Sequence, residues 1–180
     1  MIMGMLAAGG LGLLTDGRRA PDEDNPRGYY ELEAVKTLDT PGSDRAWLGQ
    51  APGRALKVTS FLLPYLPDSY KYRIVLVRRD LREVLASQRR MLERRGEPAG
   101  VRSDEEMARL FADHLSQLEG ALGRRRNCRV LVVEHRAALQ WPEATARRIS
   151  EFLGGGLDVQ KMVQSIDPGL YRQRVTPPRP

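Results

Sequence analysis

The sequence predicts an α/β fold, with a mostly parallel sheet flanked by helices on both faces. Two observations predict it. Short apolar runs, at residues 72–77 and 129–133, alternate with longer stretches whose apolar positions recur every three or four residues. That alternation is the pattern of strand–helix–strand crossovers, which join parallel neighbours. Finally, the run Val75-Leu76-Val77 ends in Arg78-Arg79, and Asp80 then stands as the cap of a helix. A guanidinium and a helix N-terminus thus fall at the carboxyl edge of a sheet, where open α/β folds bind ligands.

The elements follow in order. Residues 1–8 read as the second half of a helix stopped by Gly9-Gly10, and residues 11–15 as a short buried strand. Residues 16–28 are rich in turn formers and read as a loop, residues 29–38 as a helix, and residues 41–52 as an irregular connection. Residues 55–59 are a strand candidate and residues 72–77 a stronger one. The helix opening at Asp80 aligns Leu81, Val84, Leu85, Gln88 and Leu92 on one face, with Ser87 at its edge. Ser103 and Glu106 have the spacing of a capping box, ahead of a face made by Met107, Leu110, Phe111, Leu115, Leu118 and Leu122. A last strand spans residues 129–133. A helix then starts at Pro142 and stops at Gly154-Gly155-Gly156. Residues 1–170 read as a single domain and residues 171–180 as a flexible tail, with no internal repeat.

Composition narrows the function classes. The 180 residues are 41% hydrophobic and 29% charged, the balance of an ordinary globular domain. The net charge of +6 invites polyanion readings, but many of the arginines have acids nearby. A solvated basic surface or a small-anion site is favoured over a nucleic-acid groove. Cys128 is the only cysteine, so no disulfide framework or cysteine metal cluster is expected, and no ligand spacing implies another metal. It reads as a small core residue of a protein in reducing cytosol. The apolar N-terminus has no positive region and is broken by glycines, and no stretch approaches the roughly 18 apolar residues of a membrane span. The chain is therefore expected to be soluble and cytoplasmic, with no membrane partner.

Arg79 and Ser87 are eight residues apart across the strand end and the capped helix. A guanidinium offers a planar fork of donors suited to a phosphate dianion, and a serine hydroxyl adds one more bond. This segment resembles the 3′-phosphate-binding element of sulfotransferases, which use the sulfuryl donor PAPS (3′-phosphoadenosine 5′-phosphosulfate). Asn25-Pro26-Arg27-Gly28-Tyr29-Tyr30-Glu31 is similar to the Asn-Pro-x-Gly-Tyr-Phe-Glu segment of bacterial members. Ile149-Ser150-Glu151-Phe152-Leu153-Gly154 resembles their late helix ending in Phe-Leu-Gly. The resemblance implies a three-layer P-loop-type fold, with PAPS or its product PAP held by Arg79 and Ser87. The sulfuryl group would pass to an acceptor hydroxyl or amine on a small molecule, glycan or peptide.

One part of the family pattern is missing. No Gly-x-x-x-x-Gly-Lys-Ser/Thr occurs, and residues 1–8 would already be the helix that follows the phosphate loop. The expectation is a domain without its first strand and loop, by truncation or degeneracy, and so impaired in transfer. Charge-assisted hydrogen bonds contribute about 1.5–3 kcal/mol each, so losing three weakens donor binding at least about a thousandfold.

Other candidates remain open on the sequence. Lys57 either stabilises charge on the leaving phosphate, as the resemblance implies, or is a solvent-facing residue of an edge strand. Thr59 stands where many sulfotransferases have a basic histidine, and threonine cannot take that role. Of the two histidines, His114 reads as structural or superficial, while His135 and Glu31 are candidate bases. Tyr29 and Tyr30 either line an acceptor pocket or pack a loop onto the core. The seven arginines against three acids in residues 78–95, and Arg124-Arg125-Arg126, read as solvated faces. Arg172 and Arg174 resemble an arginine that closes over the donor, set in a mobile tail. The alternatives to a sulfotransferase are a non-catalytic nucleotide- or anion-binding protein of the same fold and, ranked last, a basic nucleic-acid-binding module.

Overall fold

A computed structural model describes residues 1–23, 25–96 and 102–170. The proposed tail, with Arg172 and Arg174, lies outside the described residues. The architecture is α/β. Strands β1 (Tyr72–Arg78) and β2 (Cys128–Glu134) pair in parallel, in a register that sets Tyr72 against Cys128 and Arg78 against Glu134. Helices α2 (Leu81–Arg95) and α3 (Asp104–Arg124) make the crossover between them. The period of two along a strand sends alternate side chains to opposite faces. Ile74, Leu76, Val130 and Val132 enter one core with Leu14, Val35, Leu38, Trp47, Leu63 and the α3 residues Leu118 and Leu122. Val75, Leu131 and Val133 enter a second core with α1 (Ile2–Ala8), α4 (His135–Gln140), α5 (Pro142–Leu153) and α6 (Val159–Gln164).

Each of the helices anticipated at residues 1–8, from Asp80, from Ser103 and from Pro142 forms, for the reasons written in its ends. The Asp80 carboxylate accepts from the Arg82 N–H at 3.0 Å. Ser103 and Glu106 complete the capping box, with bonds of 3.2 and 3.0 Å. Helix α5 stops because Gly154 takes φ 111°, a left-handed conformation open to glycine, and lets Gly155 N–H reach Ser150 O at 2.7 Å.

Two expected strands are corrected. Residues 11–15 and 55–59 meet only in a parallel bridge between Leu13 and Ala55, where Leu14 N–H donates to Ala55 O at 2.9 Å and Ala55 N–H to Gly12 O at 2.8 Å. The ladder stops there because the flanks are bent away. On one side the Asp16 carboxylate binds the N–H groups of Arg18 and Glu33, at 3.0 and 2.7 Å. On the other, a turn through Gly53 feeds Ala55. The helix expected at residues 29–38 is likewise reduced to a 3-10 helix at Glu33–Thr37. Tyr30 sits at φ 52° and Leu32 at φ −121°, which prevents a helix from starting earlier. The segment read as irregular holds a 3-10 helix at Ala46–Gln50, and another follows at Ser60–Tyr65. Gln88 is exposed rather than part of the buried stripe of α2, and Leu110 of α3 is 47% exposed. No helix among the described residues is long and apolar enough to cross a membrane.

Candidate functional site

Because β1 and β2 run in register, their ends bring two short sequences side by side. Arg78-Arg79-Asp80 leaves β1, and Glu134-His135-Arg136 leaves β2 into α4. A cleft of about 460 Å³ opens here, its walls including Arg78, Arg79, Asp80, Glu119, Glu134 and Arg136.

The centre of the arrangement is Glu83, in the first turn of α2 and fully buried. Its Oε2 accepts from Arg79 Nε at 3.3 Å, and its Oε1 from Arg136 Nη2 at 2.6 Å. An isolated buried carboxylate is costly, and two guanidinium groups make this one tolerable. The acids elsewhere in the wall have their own partners. Arg78 forks onto Glu119, with Nε at 2.9 Å, and lies 3.9 Å from Glu134, while Asp80 pairs with Arg82 at 3.0 Å. The cleft wall thus carries guanidinium groups and carboxylates together.

His135 lies beside this cluster. Burial, followed by the Arg79 charge and the Met1 ammonium, lowers its pKa to about 4, against a weaker opposing pull from Glu83. Its imidazole is neutral at pH 7 and can accept a proton. Burial lowers the Met1 ammonium as well, and Lys57 and Arg27 add to the effect, so these cations share one neighbourhood.

Lys57 follows the Leu13–Ala55 bridge, and its Nζ donates to Tyr29 O at 3.1 Å and to Glu31 Oε1 at 3.0 Å. The side chain is 39% exposed. Burial raises the Glu31 pKa, but the Lys57 bond and charge and the Arg19 charge outweigh it, leaving the carboxyl below its ordinary value. That makes Glu31 a weaker base than its position in the sequence implied. Tyr29 is buried, its hydroxyl on Asp22 at 2.7 Å and Arg19 stacked 3.3 Å over its ring, so it packs the loop down. Arg27 ties the same loop to Ser165 O and Asp167.

Ser87 is half-buried, one helical turn beyond Glu83 on the same side of α2. It is not part of the cleft wall, so the structure brings Arg79 to Arg136 rather than to Ser87. His114 is structural, stacked on Phe61 at 3.9 Å with its Nε2 3.1 Å from Ser60 Oγ. Cys128 is half-buried beside the first core, and burial raises its thiol pKa. Among the described residues, no cluster of His, Cys, Asp and Glu forms a metal site.

Sequence reasoning missed Glu83 and Arg136. The signals were present: Glu83 is four residues after Arg79, and Arg136 lies two residues past the end of the second strand as Arg79 lies one past the first.

The chain matches no protein-family model, no curated protein and no solved structure with which it was compared. Its function has to be argued from the residues at this edge.

Proposed function

We propose that the chain is a sulfotransferase-like protein of the three-layer P-loop class, taking PAPS or PAP at the carboxyl edge of its sheet. The observation that carries this reading is Arg79. It stands at the end of a parallel strand, directly before an Asp-capped helix, in the wall of a cleft it shares with Arg136. Such an edge suits a phosphate, through a planar donor fork and the partial positive charge of a helix N-terminus. The residues fit one half of the donor. Arg79, with Ser87 further along α2, would take the 3′-phosphate. No Gly-x-x-x-x-Gly-Lys-Ser/Thr run occurs among the 180 residues.

Transfer on this reading is an in-line displacement. An acceptor oxygen or nitrogen forms a bond to sulfur as the bond from sulfur to the phosphate oxygen breaks, and PAP departs with the electron pair. Lys57 would offset the charge gathering on that phosphate. His135, neutral at pH 7 and beside the Arg79–Glu83 pair, is the candidate for the acceptor's proton, a weak base because it is buried.

A second reading, a non-catalytic nucleotide- or anion-binding protein of the same fold, is favoured by one observation. Lys57 and Arg79 already hold carboxylates, Glu31 and Glu83. Calorimetric titration of PAP into the wild type and Arg79→Ala tests the shared claim. Micromolar binding, weakened at least tenfold in the variant and absent for AMP, is expected. A folded wild-type chain that ignores millimolar PAP would overturn the first reading, and a chain that also ignores inorganic pyrophosphate and AMP would overturn the second. Radiolabelled sulfuryl transfer from PAPS to a panel of phenols and amines separates them, because only the first reading expects label in the acceptor.

A further inference from the structure

We propose that residues 55–58 and β1 present facing backbone edges that take up an extended apolar segment of another polypeptide. The inference stands apart from the reading of the cleft, and neither depends on the other.

The edges follow from the hydrogen-bond pattern. Tyr72 N–H donates to Asn127 O at 2.7 Å, so in the register of the ladder Tyr72, Ile74, Leu76 and Arg78 turn their backbone groups towards β2. Arg73, Val75 and Val77 turn theirs the other way, where no backbone group among the described residues meets them. Residues 55–58 repeat the pattern. Ala55 N–H donates to Gly12 O and Ala55 O accepts from Leu14 N–H, so the backbone groups of Leu56 and Val58 point away from that bridge and are likewise unmatched. Val77 is 40% exposed, and Val75, Leu56 and Val58 are half-buried.

Topology sets these two edges opposite each other. Leu56 and Val58 pack on the first core and Ala55 on the second, as Ile74 and Val75 do in β1, so both segments lie in one layer. Three connections cross this layer on the face of the first core. They are the chain from Leu14 to Ala55 through Trp47, the 3-10 helix at Ser60–Tyr65 through Leu63, and α3 through Leu118. Crossovers between parallel strands are right-handed, so three on one face step in one direction. The order across the layer is therefore residues 11–15, residues 55–58, β1, β2. The first two are hydrogen-bonded to each other and so are the last two, whereas residues 55–58 and β1 are not.

Open edges are templates for strand pairing. With an apolar core on each side, a segment that pairs here carries apolar side chains on both faces. Residues 97–101 and 171–180 have neither the apolar run nor the uninterrupted N–H groups for this, holding one and three prolines. A second copy brings the same sequence, which makes the partner a different polypeptide.

The test follows amide exchange residue by residue in the 15N-labelled full chain, with and without a peptide that has a central Val-Ile-Val-Val run between lysines. In the chain alone, Val75 and Val77 are expected to exchange at least tenfold faster than Ile74 and Leu76, although the four alternate along one strand. The peptide should slow Val75, Val77, Leu56 and Val58 together, by at least tenfold at saturation. The same peptide N-methylated at alternate residues should leave all four rates unchanged.

Val75 and Val77 exchanging as slowly as their neighbours in the chain alone would mean that the edge is already paired, which overturns the inference. So does a peptide that leaves the four rates unchanged, slows only one edge, or acts equally well when N-methylated. PAP plays no part in these rates, so failure of the PAP reading leaves this inference standing, and the reverse.

Discussion

The two ends of the short parallel sheet use the same residue type in opposite ways. At the amino end, Arg125 is 19% exposed and spends its guanidinium on Leu63 O, Leu66 O at 2.7 Å and Asp68. Asn127 alongside it donates to Tyr70 O at 2.9 Å. Every one of those acceptors belongs to the chain entering β1, so Arg125 closes a loop. At the carboxyl end, Arg79 and Arg136 share a single buried carboxylate beside a cavity. A guanidinium surrounded by carbonyls is a structural tie. At the carboxyl end the guanidinium groups also form part of the wall of a cleft.

The largest effect should come from Glu83→Ala, which removes the anion between two cations. Breaking a buried pair by deleting one partner costs about 3–5 kcal/mol, and urea denaturation should read a loss near the lower figure because the arginines are half-exposed. A loss under about 1 kcal/mol would mean the carboxylate does not organise the carboxyl end. Arg125→Ala comes next. Bonds to a charged group contribute about 1.5–3 kcal/mol, so about 2 kcal/mol should go, with PAP affinity unchanged. An affinity change as large as that of Arg79→Ala would erase the distinction between the ends.

The smallest effect sharpens the comparison through pH. His135 stays neutral in the folded chain down to about pH 4, whereas an ordinary imidazole titrates near 6.5. Between these values the unfolded chain binds more protons, so stability falls as the pH drops from about 6.5 towards 4 and is unaffected by this group above pH 7. His135→Asn should remove that part of the slope, read from urea midpoints at pH 7.5 and 5. Equal slopes in the variant and the wild type would show that burial does not hold the His135 imidazole neutral.

Much of this edge was legible before any coordinates. The strand ending at Arg78, the Asp80 cap and the capping box at Ser103 are local signals, and local signals survive into the fold. The weaker strands were not legible in their true extent. A run such as residues 55–59 has strand composition, but a ladder needs a partner along its length, and Ala55 finds only Leu13. The helix expected at residues 29–38 failed for a similar reason, since nothing in a tyrosine pair announces the left-handed backbone of Tyr30. Glu83 was passed over because a glutamate in a first helical turn usually faces water. Its burial depends on Arg136, 53 residues away.

The single bridge between Leu13 and Ala55 has a consequence in time. Arg79 and Arg136 stand on a continuous ladder and its helices, whereas Lys57 stands beyond one isolated bridge, among 3-10 turns held by side chains. Amide exchange should therefore run on two clocks. Leu14 and Ala55 can release their hydrogens in local openings, while Ile74 and Leu76 wait for the whole domain to come apart.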